Sequence, residues 1–562
     1  MALLEIKALS FKYGGAKQNA IENIDLTVEQ GDFVLICGES GCGKTTLLRM
    51  LKKQIRPFGE MTGEILMNGI PVDEMSDREA VFEIGYVMQD PEAQTVCDSV
   101  RHELAFGLES LGEKSDVIMR RVAEICGFFG IGEWFGKKTS ELSGGQKQLL
   151  ALASVMVTDP SVLILDEPTA QLDPIAASDF LSALYKLNRE LGVTIIIAEH
   201  RLEEVFHMAS KVLVIERSRV SLCDTPRNIG RAMCGANPHR MSIALPASVR
   251  VFSALGGKGE APLTVNEGKR YIAENFADDI KEIDAVIPNF EAREKVIELS
   301  GGYFRYERDM PDVLSGIDLD VYDNELLCIV GANGAGKTTL IKVLSGVKRL
   351  YKGKYRLRGK KLSAYASYEL YKGNIACMPQ DPKTLFVRST LKDDLIEAAL
   401  ITTEKREYAQ KKVNEVAQRL GIFHLLDSHP HDLSGGERQK AALAKLLMTE
   451  PSVIMLDEPT KGLDACSKRT FAEILCSLKN EGKTIIIVTH DVEFAAEHAD
   501  RCAMFFDGRI VSCADRINFF AENRYYTTAA ARMTRPRFKN AVTVDMAIEL
   551  CKSNKKLSSE RN

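Results

Sequence analysis

The sequence predicts an α/β architecture, two domains in tandem, and three observations carry it. A glycine-rich stretch, "GESGCGKTT" (Gly38–Thr46), returns as "GANGAGKTT" (Gly331–Thr339). Continuous apolar runs ending in carboxylates, "SVLILDEPT" and "SVIMLDEPT", read as central strands of a parallel sheet buried on both faces. Segments with helical patterning alternate with these strands in both halves, which is the α/β signature.

The elements follow in order. "GDFVLICG" and "NELLCIVG" are buried strands running into the glycine loops and then into helices. Other features recur at matching offsets, as expected of a duplicated unit. The interval from Tyr13 to Lys44 equals that from Tyr306 to Lys337, and Gln89 and Gln380 follow those lysines at nearly equal distances. "LSGGQ" (Leu142–Gln146) reappears as "LSGGE" (Leu433–Glu437). Asp166–Glu167 with His200 is matched by Asp457–Glu458 with His490. "PLTVNEGKRYI" (Pro262–Ile272) is a loose counterpart of "AVTVDMAIEL" (Ala541–Leu550). The expected layout is a first α/β domain over 1–225, its C-terminal appendage over 226–272, and a linker over 273–296. A second domain over 297–515 and its appendage over 516–562 complete the chain. Residues 274–294 hold seven acidic and two basic residues, which suits a linker or an exposed helix.

Composition narrows the function. With 562 residues and 45% hydrophobic content the chain is long enough for at least two cores. A net charge of −5 gives no general electrostatic reason to expect nucleic acid as a partner. Thirteen cysteines, without a C-x-x-C pair or zinc-like spacing, point to reduced thiols in a cytoplasmic compartment. The N-terminus is charged early and does not read as a signal peptide. No apolar run reaches the roughly 18–20 residues a membrane span needs.

The loops match G-x-x-x-x-G-K-[ST], where glycines let backbone N–H groups close on phosphate oxygens and a helix N-terminus adds positive potential. Gly38, Glu39, Ser40, Gly41, Cys42, Gly43 and Thr46 form the first cradle; Gly331, Ala332, Asn333, Gly334, Ala335, Gly336 and Thr339 form the second. Lys44 and Lys337 would reach the β- and γ-phosphates, and Thr45 and Thr338 would ligate Mg²⁺. Asp166 and Asp457, at strand ends, are placed to hold Mg²⁺ through water. Glu167 and Glu458 could orient or deprotonate an attacking water. Cys42 reads as a small packing residue, the alternative being a thiol whose alkylation blocks the first loop. Ser143, Gly144, Gly145 and Gln146, like Ser434, Gly435, Gly436 and Glu437, put a serine and two bare glycines before a helix. Because each half already has a phosphate loop, this surface is expected to serve the other half's nucleotide.

This constellation resembles the ATP-binding cassette family over about 230 residues of each half. The resemblance implies P-loop NTPase domains, each with a RecA-like core, a helical subdomain and a small C-terminal appendage. It implies a head-to-tail ATP sandwich with Mg²⁺. In it, Lys44, Gln89, Asp166, Glu167 and His200 face Ser434–Glu437, and Lys337, Gln380, Asp457, Glu458 and His490 face Ser143–Gln146. Tyr13 and Tyr306 would stack on adenine. Gln89 and Gln380 would join the Mg²⁺ ligands and sense the γ-phosphate. His200 and His490 would contact that phosphate, and Asp173 and Asp464 would couple the two sites. Both halves keep glutamate and histidine, so both sites are expected to hydrolyse ATP, with Glu437 adding a negative charge that weakens the first. "SHPHD" (Ser428–Asp432) aligns with "KKTSE" and reads as a loop entering the LSGG segment rather than a metal site.

Three uses of the ATP compete. Tyr86–Ser110, with its Q-D-P-x-x-Q string and downstream E-L-A-F-G-L-E, resembles the ATPases of energy-coupling factor (ECF) transporters, which import vitamins and metal ions. That implies an integral membrane scaffold, substrate-binding membrane subunits, and a peripheral position on the cytoplasmic face of a bacterial or archaeal type membrane. The second half reads "STLKDDLIEAA" there, so the two halves would meet a membrane partner differently. The bland alternative is that Asp98–Ser110 is an amphipathic helix packing within its own domain. The second use is a soluble tandem cassette acting on ribosomes, for which a long basic helical linker is expected and missing. The third, a DNA-repair cassette, needs a heptad-rich insertion that the sequence lacks.

Overall fold

The computed structural model describes residues 2–235, 238–276, 290, 292–403, 405–535, 537–538 and 540–559. Most of the acidic linker expected at 273–296 lies outside the described residues. The chain divides into two compact units, Met1–Thr264 with Asp464–Cys466, and Val265–Leu463 with Ser467–Asn562.

In the first unit the strands are β1 (Ala2–Tyr13), β2 (Ile21–Glu29), β3 (Phe33–Gly38), β4 (Gly59–Met67), β5 (Ile70–Pro71), β6 (Ile84–Val87), β7 (Val162–Asp166), β8 (Thr194–Ala198), β9 (Lys211–Glu216) and β10 (Arg219–Asp224). They build a four-stranded antiparallel sheet, order β2-β1-β4-β5, and a six-stranded sheet, order β10-β9-β3-β8-β7-β6. The larger sheet is parallel except at its β9–β10 edge. Period-two alternation sorts its side chains: Phe33, Leu35 and Cys37 enter a core beneath helices, whereas Val34 and Ile36 enter a core shared with the antiparallel sheet. Both faces are covered, so the strands are apolar throughout, as the sequence runs predicted.

Helix Pro174–Leu191 illustrates the local rules: Asp173 caps it by accepting from Ala176 N–H at 2.9 Å, Pro174 sits at its first turn, and Gly192 ends it at φ 69°. Helices Val100–Ser110, Ser115–Phe129 and Gly144–Met156 form a satellite core around Leu104, Leu108, Trp134 and Leu150. The segment Asp98–Ser110 is thus an amphipathic helix packed in its own unit, with Phe106 left 41% exposed. Helix Pro226–Met233 extends the main core through Ile229 and Met233.

The second unit repeats the plan. Its strands are β11 (Lys295–Phe304), β12 (Leu314–Tyr322), β13 (Leu326–Val330), β14 (Lys352–Leu357), β15 (Lys360–Lys361), β16 (Ile375–Met378), β17 (Val453–Asp457), β18 (Thr484–Thr489), β19 (Arg501–Phe506) and β20 (Arg509–Asp515). Sheet orders β12-β11-β14-β15 and β16-β17-β18-β13-β19-β20 are those of the first unit. Helix Val265–Asn275 folds with this unit, with Ile272 buried and helix Ala529–Thr534 beside it. The end of the segment expected as the first domain's appendage therefore belongs, by packing, to the second unit.

A buried ion pair ties the second unit's two sheets. Arg501, opening β19, donates to the Glu325 carboxylate and to Asp320 O, all at 3.2 Å, and the Glu325 side chain is 0% exposed. Lys211 at the same place in the first unit donates to Thr27 O at 2.6 Å and lies 3.8 Å from the half-open Asp32. Arg501→Met should lower the stability of the second unit by about 3–5 kcal/mol, because it strands a buried carboxylate. Lys211→Met should cost the first unit about 1 kcal/mol or less. Urea denaturation followed by a probe in each unit checks the contrast.

Candidate nucleotide site

Each unit's glycine loop joins a central strand to a helix, Lys44–Met50 or Lys337–Leu344. The glycine before the lysine is obligatory in both. Gly43 sits at φ 106°, where a Cβ would lie 2.4 Å from Ala20 O; Gly336 sits at φ 109°, 3.0 Å from Val313 O. The lysines fold back over the loops: Lys44 Nζ donates to Gly38 O and Glu39 O at 3.0 and 3.1 Å, and Lys337 Nζ to Gly331 O and Ala332 O at 2.8 Å each. Cys42 is 7% exposed, and burial pushes its thiol up, with Lys44 opposing. It is a packing residue and a poor nucleophile.

The carboxylates arrive from the sheet's edge. Thr45 Oγ1 donates to Asp166 Oδ1 at 3.0 Å, and Tyr86 OH to Asp166 Oδ2 at 3.3 Å. Thr338 stands against Asp457 and favours its carboxylate, but burial pushes that carboxyl up to about 6. Glu167 and Glu458 occupy the left-handed region at φ 46° and 51°, a strained geometry that sequence patterning does not disclose. It turns each carboxylate toward the loop lysine, at 3.9 Å for Lys44 and 4.0 Å for Lys337. His200 Nε2 stands 2.7 Å from Glu167 Oε1, and His490 Nδ1 stands 2.9 Å from Glu458 Oε2. Burial works against ionisation of both glutamates, yet the histidine and lysine beside each hold its carboxyl below the usual range. Gln89 and Gln380 are both exposed, and Gln89 Nε2 donates to Glu167 Oε2 at 2.8 Å. Among the described residues Asp457 Oδ1 and Glu458 Oε1 are buried and take no hydrogen bond, so the second unit's donor set fits a divalent cation and a bound water.

The remaining expected residues separate into groups. Tyr13 OH meets Thr46 Oγ1 at 2.9 Å and Tyr306 OH meets Thr339 Oγ1 at 3.1 Å, which places both rings at the loops while leaving them 38% and 48% exposed. Ser143 caps its helix, its Oγ accepting from Gln146 N–H at 3.3 Å while its own N–H donates to Gln146 Oε1 at 3.0 Å; at the same position Ser434 N–H and Oγ both donate to Glu437 Oε2, at 2.9 and 2.6 Å. Gly145 has a packing reason, since a Cβ would lie 2.9 Å from Ala176 Cβ; around Gly144 there is open space. The two aspartates expected to couple the sites differ. Asp173 caps its own helix, while Asp464, grouped with the first unit, accepts from Ser40 N–H at 3.0 Å. His429 accepts from His431 N–H at 3.2 Å in a tight turn, and among the described residues no cluster of His, Cys, Asp and Glu forms a metal site.

Glu199, missed in the sequence, is buried beside His200 and accepts from the N–H groups of Thr169 at 2.9 Å and His200 at 3.2 Å. Burial pushes its carboxyl up. The second unit has Thr489 there, a difference readable in "AEH" against "VTH".

Duplicated phosphate loops, strand-end carboxylates and paired histidines on this sheet define a tandem P-loop ATPase. The family model described as "ABC transporter" matches residues 21–170 and 314–461. A Bacillus anthracis protein named as an ABC transporter ATP-binding protein is 37% identical over 558 residues, spanning 99% of each chain. The chain belongs to the ABC transporter family and is one of its ATP-binding ATPases. Among solved structures, Clostridium perfringens cbiO1, titled part of the ABC transporter complex cbiONQ, is 34% identical. It covers 41% of this chain and 90% of its own, at a TM-score of 0.38. A complex of archaeal ribosomal stalk protein aP1 with ribosome recycling factor aABCE1 contains a chain 20% identical that covers 92% of this chain and 91% of its own. Its TM-score is 0.58, a likeness of fold.

Gly43→Ala should weaken ATP binding at the first loop about 5- to 100-fold, corresponding to about 1–3 kcal/mol of backbone strain. Titration of a fluorescent ATP analogue in a Lys337→Ala background measures it. In the native fold Cys42 should resist maleimide while the exposed Cys223 reacts, as read by peptide mapping.

Proposed function

We propose that the chain is the energy-supplying subunit of an ECF-type membrane importer for a vitamin or metal ion, working through an intramolecular head-to-tail ATP sandwich with two composite sites. The observation that carries the hydrolytic part is the repeated lysine–glutamate–histidine arrangement, complete in both units. The names of the relatives and the ECF-like segment Tyr86–Ser110 support transport. Among the described residues no helix is long and apolar enough to cross a membrane. The chain in this reading works from the cytoplasmic face against an integral scaffold and substrate-binding membrane subunits.

In this reading Lys44 and Lys337 leave the loop carbonyls for the β- and γ-phosphates. Mg²⁺, held by Thr45, Asp166 and Gln89 or by Thr338, Asp457 and Gln380, would neutralise charge on those oxygens. Glu167 and Glu458, ionised beside their histidines, accept the proton of the attacking water, and His200 and His490 fix the carboxylates and reach the γ-phosphate. Tyr13 and Tyr306 carry adenine. Ser143–Gln146 and Ser434–Glu437 complete the opposite unit's nucleotide, with Asp173 and Asp464 coupling the sites. Closure follows because each nucleotide gains contacts only in the closed state, and phosphate release removes them.

Glu167→Gln with Glu458→Gln should cut ATP turnover by about 10²- to 10⁴-fold, the loss of general-base catalysis. It should also trap a compact, ATP-filled form, seen by scattering and nucleotide retention; a double variant that neither retains ATP nor compacts would contradict the sandwich. Capture of the tagged chain from detergent-solubilised native membranes should recover a polytopic scaffold. Recovery of ribosomal particles without integral membrane protein overturns the transport reading.

A further inference from the structure

A buried charge pair in the second unit fastens the loop over residues 385–390 from inside. Asp394, whose side chain is 0% exposed, accepts from Val387 N–H at 3.2 Å and from Arg388 N–H at 3.0 Å. Lys445, in the last turn of helix Gly435–Leu447, donates to Asp394 Oδ1 at 2.8 Å and to Leu385 O at 2.5 Å, and its ammonium stands over the Phe386 ring. The helix that begins at Ser434 and the loop that presents Val387, 80% exposed, thus share one buried ion pair.

The first unit builds the same loop differently. Glu103 takes the place of Asp394 and accepts from Val96 and Cys97 N–H at 3.0 and 2.7 Å. Ser154 stands where Lys445 does, and its hydroxyl donates to Ala151 O within its own helix. The loop is tied to the chain entering Ser143: Thr139 N–H donates to Asp98 O, and its hydroxyl to Cys97 O, each at 3.0 Å. In the second unit Pro430 occupies the position of Thr139 and has neither N–H nor hydroxyl, so that tie cannot form. An ionic tie through the helix replaces it. Because Asp394 is buried, drawing Lys445 away would leave an uncompensated carboxylate, so helix and loop move as one body.

We infer that Lys445 and Asp394 are positioning residues that carry displacement of helix Gly435–Leu447 to the loop bearing Val387. The second unit thereby transmits the state of its Ser434 surface by a route the first unit lacks. The inference rests on the reading of that surface as nucleotide-facing.

Amide hydrogen exchange on the full chain, with and without a non-hydrolysable ATP analogue, tests it. In the unsubstituted chain the analogue should change exchange at Val387 and Arg388. Lys445→Met, which keeps the stem near Phe386, should speed their basal exchange about five- to tenfold, as expected for a weakened hydrogen bond. It should also abolish the response to analogue while residues 38–46, the loop that Ser434 would face, remain protected by it. Lys445→Arg should retain the response, and Asp394→Asn, read the same way, decides the matter if Lys445→Met does not fold. A response at 387–388 that survives Lys445→Met, or that is missing from the unsubstituted chain while 38–46 are protected, overturns the inference. Membrane capture is a separate readout: its failure would remove the importer and leave this link standing.

Discussion

Burial of the parallel strands on both faces is the constraint from which the site follows. A strand such as Val162–Asp166 has no solvent side, so an ionisable group survives only where the strand ends. Asp166 and Asp457 mark those ends, and the glycine loops lie on the same edge because each central strand runs straight into its loop. Phosphate-binding N–H groups, a lysine and two carboxylates therefore converge without any long-range sorting of polar residues.

Burial also sets the electrostatics at that edge. Adjacent carboxylates taken from water resist ionisation, and Asp166 and Asp457 are both pushed up. Glu167 and Glu458 escape because a histidine and a lysine stand against each. The lysine donates to loop carbonyls, partners that phosphate oxygens would replace in the proposed nucleotide-bound state. One division of labour results, with a protonation-prone aspartate against the loop threonine and an ionised glutamate beside the histidine.

The two units share topology and differ in their links. Glu199 stitches the segment after Glu167 to His200, whereas Thr489 accepts from Asp491 N–H at 3.0 Å. Tyr86 reaches Asp166 where the second unit has Cys377. Thr139 anchors one loop and Lys445 the other. The first two differences lie against the histidine and the strand-end aspartate, and the third lies among the helices.

Two central strands of each unit were legible because apolar runs and glycine loops are local, and duplication let each half check the other; the antiparallel sheet and the strand orders were not. The loop, carboxylate and histidine residues were legible for the same reason, their chemistry tying residue type to spacing. By itself the sequence determined two α/β units and the residues at each phosphate loop. Tertiary structure alone decided the left-handed turn of Glu167 and Glu458, the burial of Cys42, and the packing of helix Val265–Asn275 with the second unit. It also decided the exchange of Thr139 for Lys445. These depend on contacts between segments far apart in the chain, and a residue's type does not say which distant atom will fill its hydrogen bonds or shield it from water.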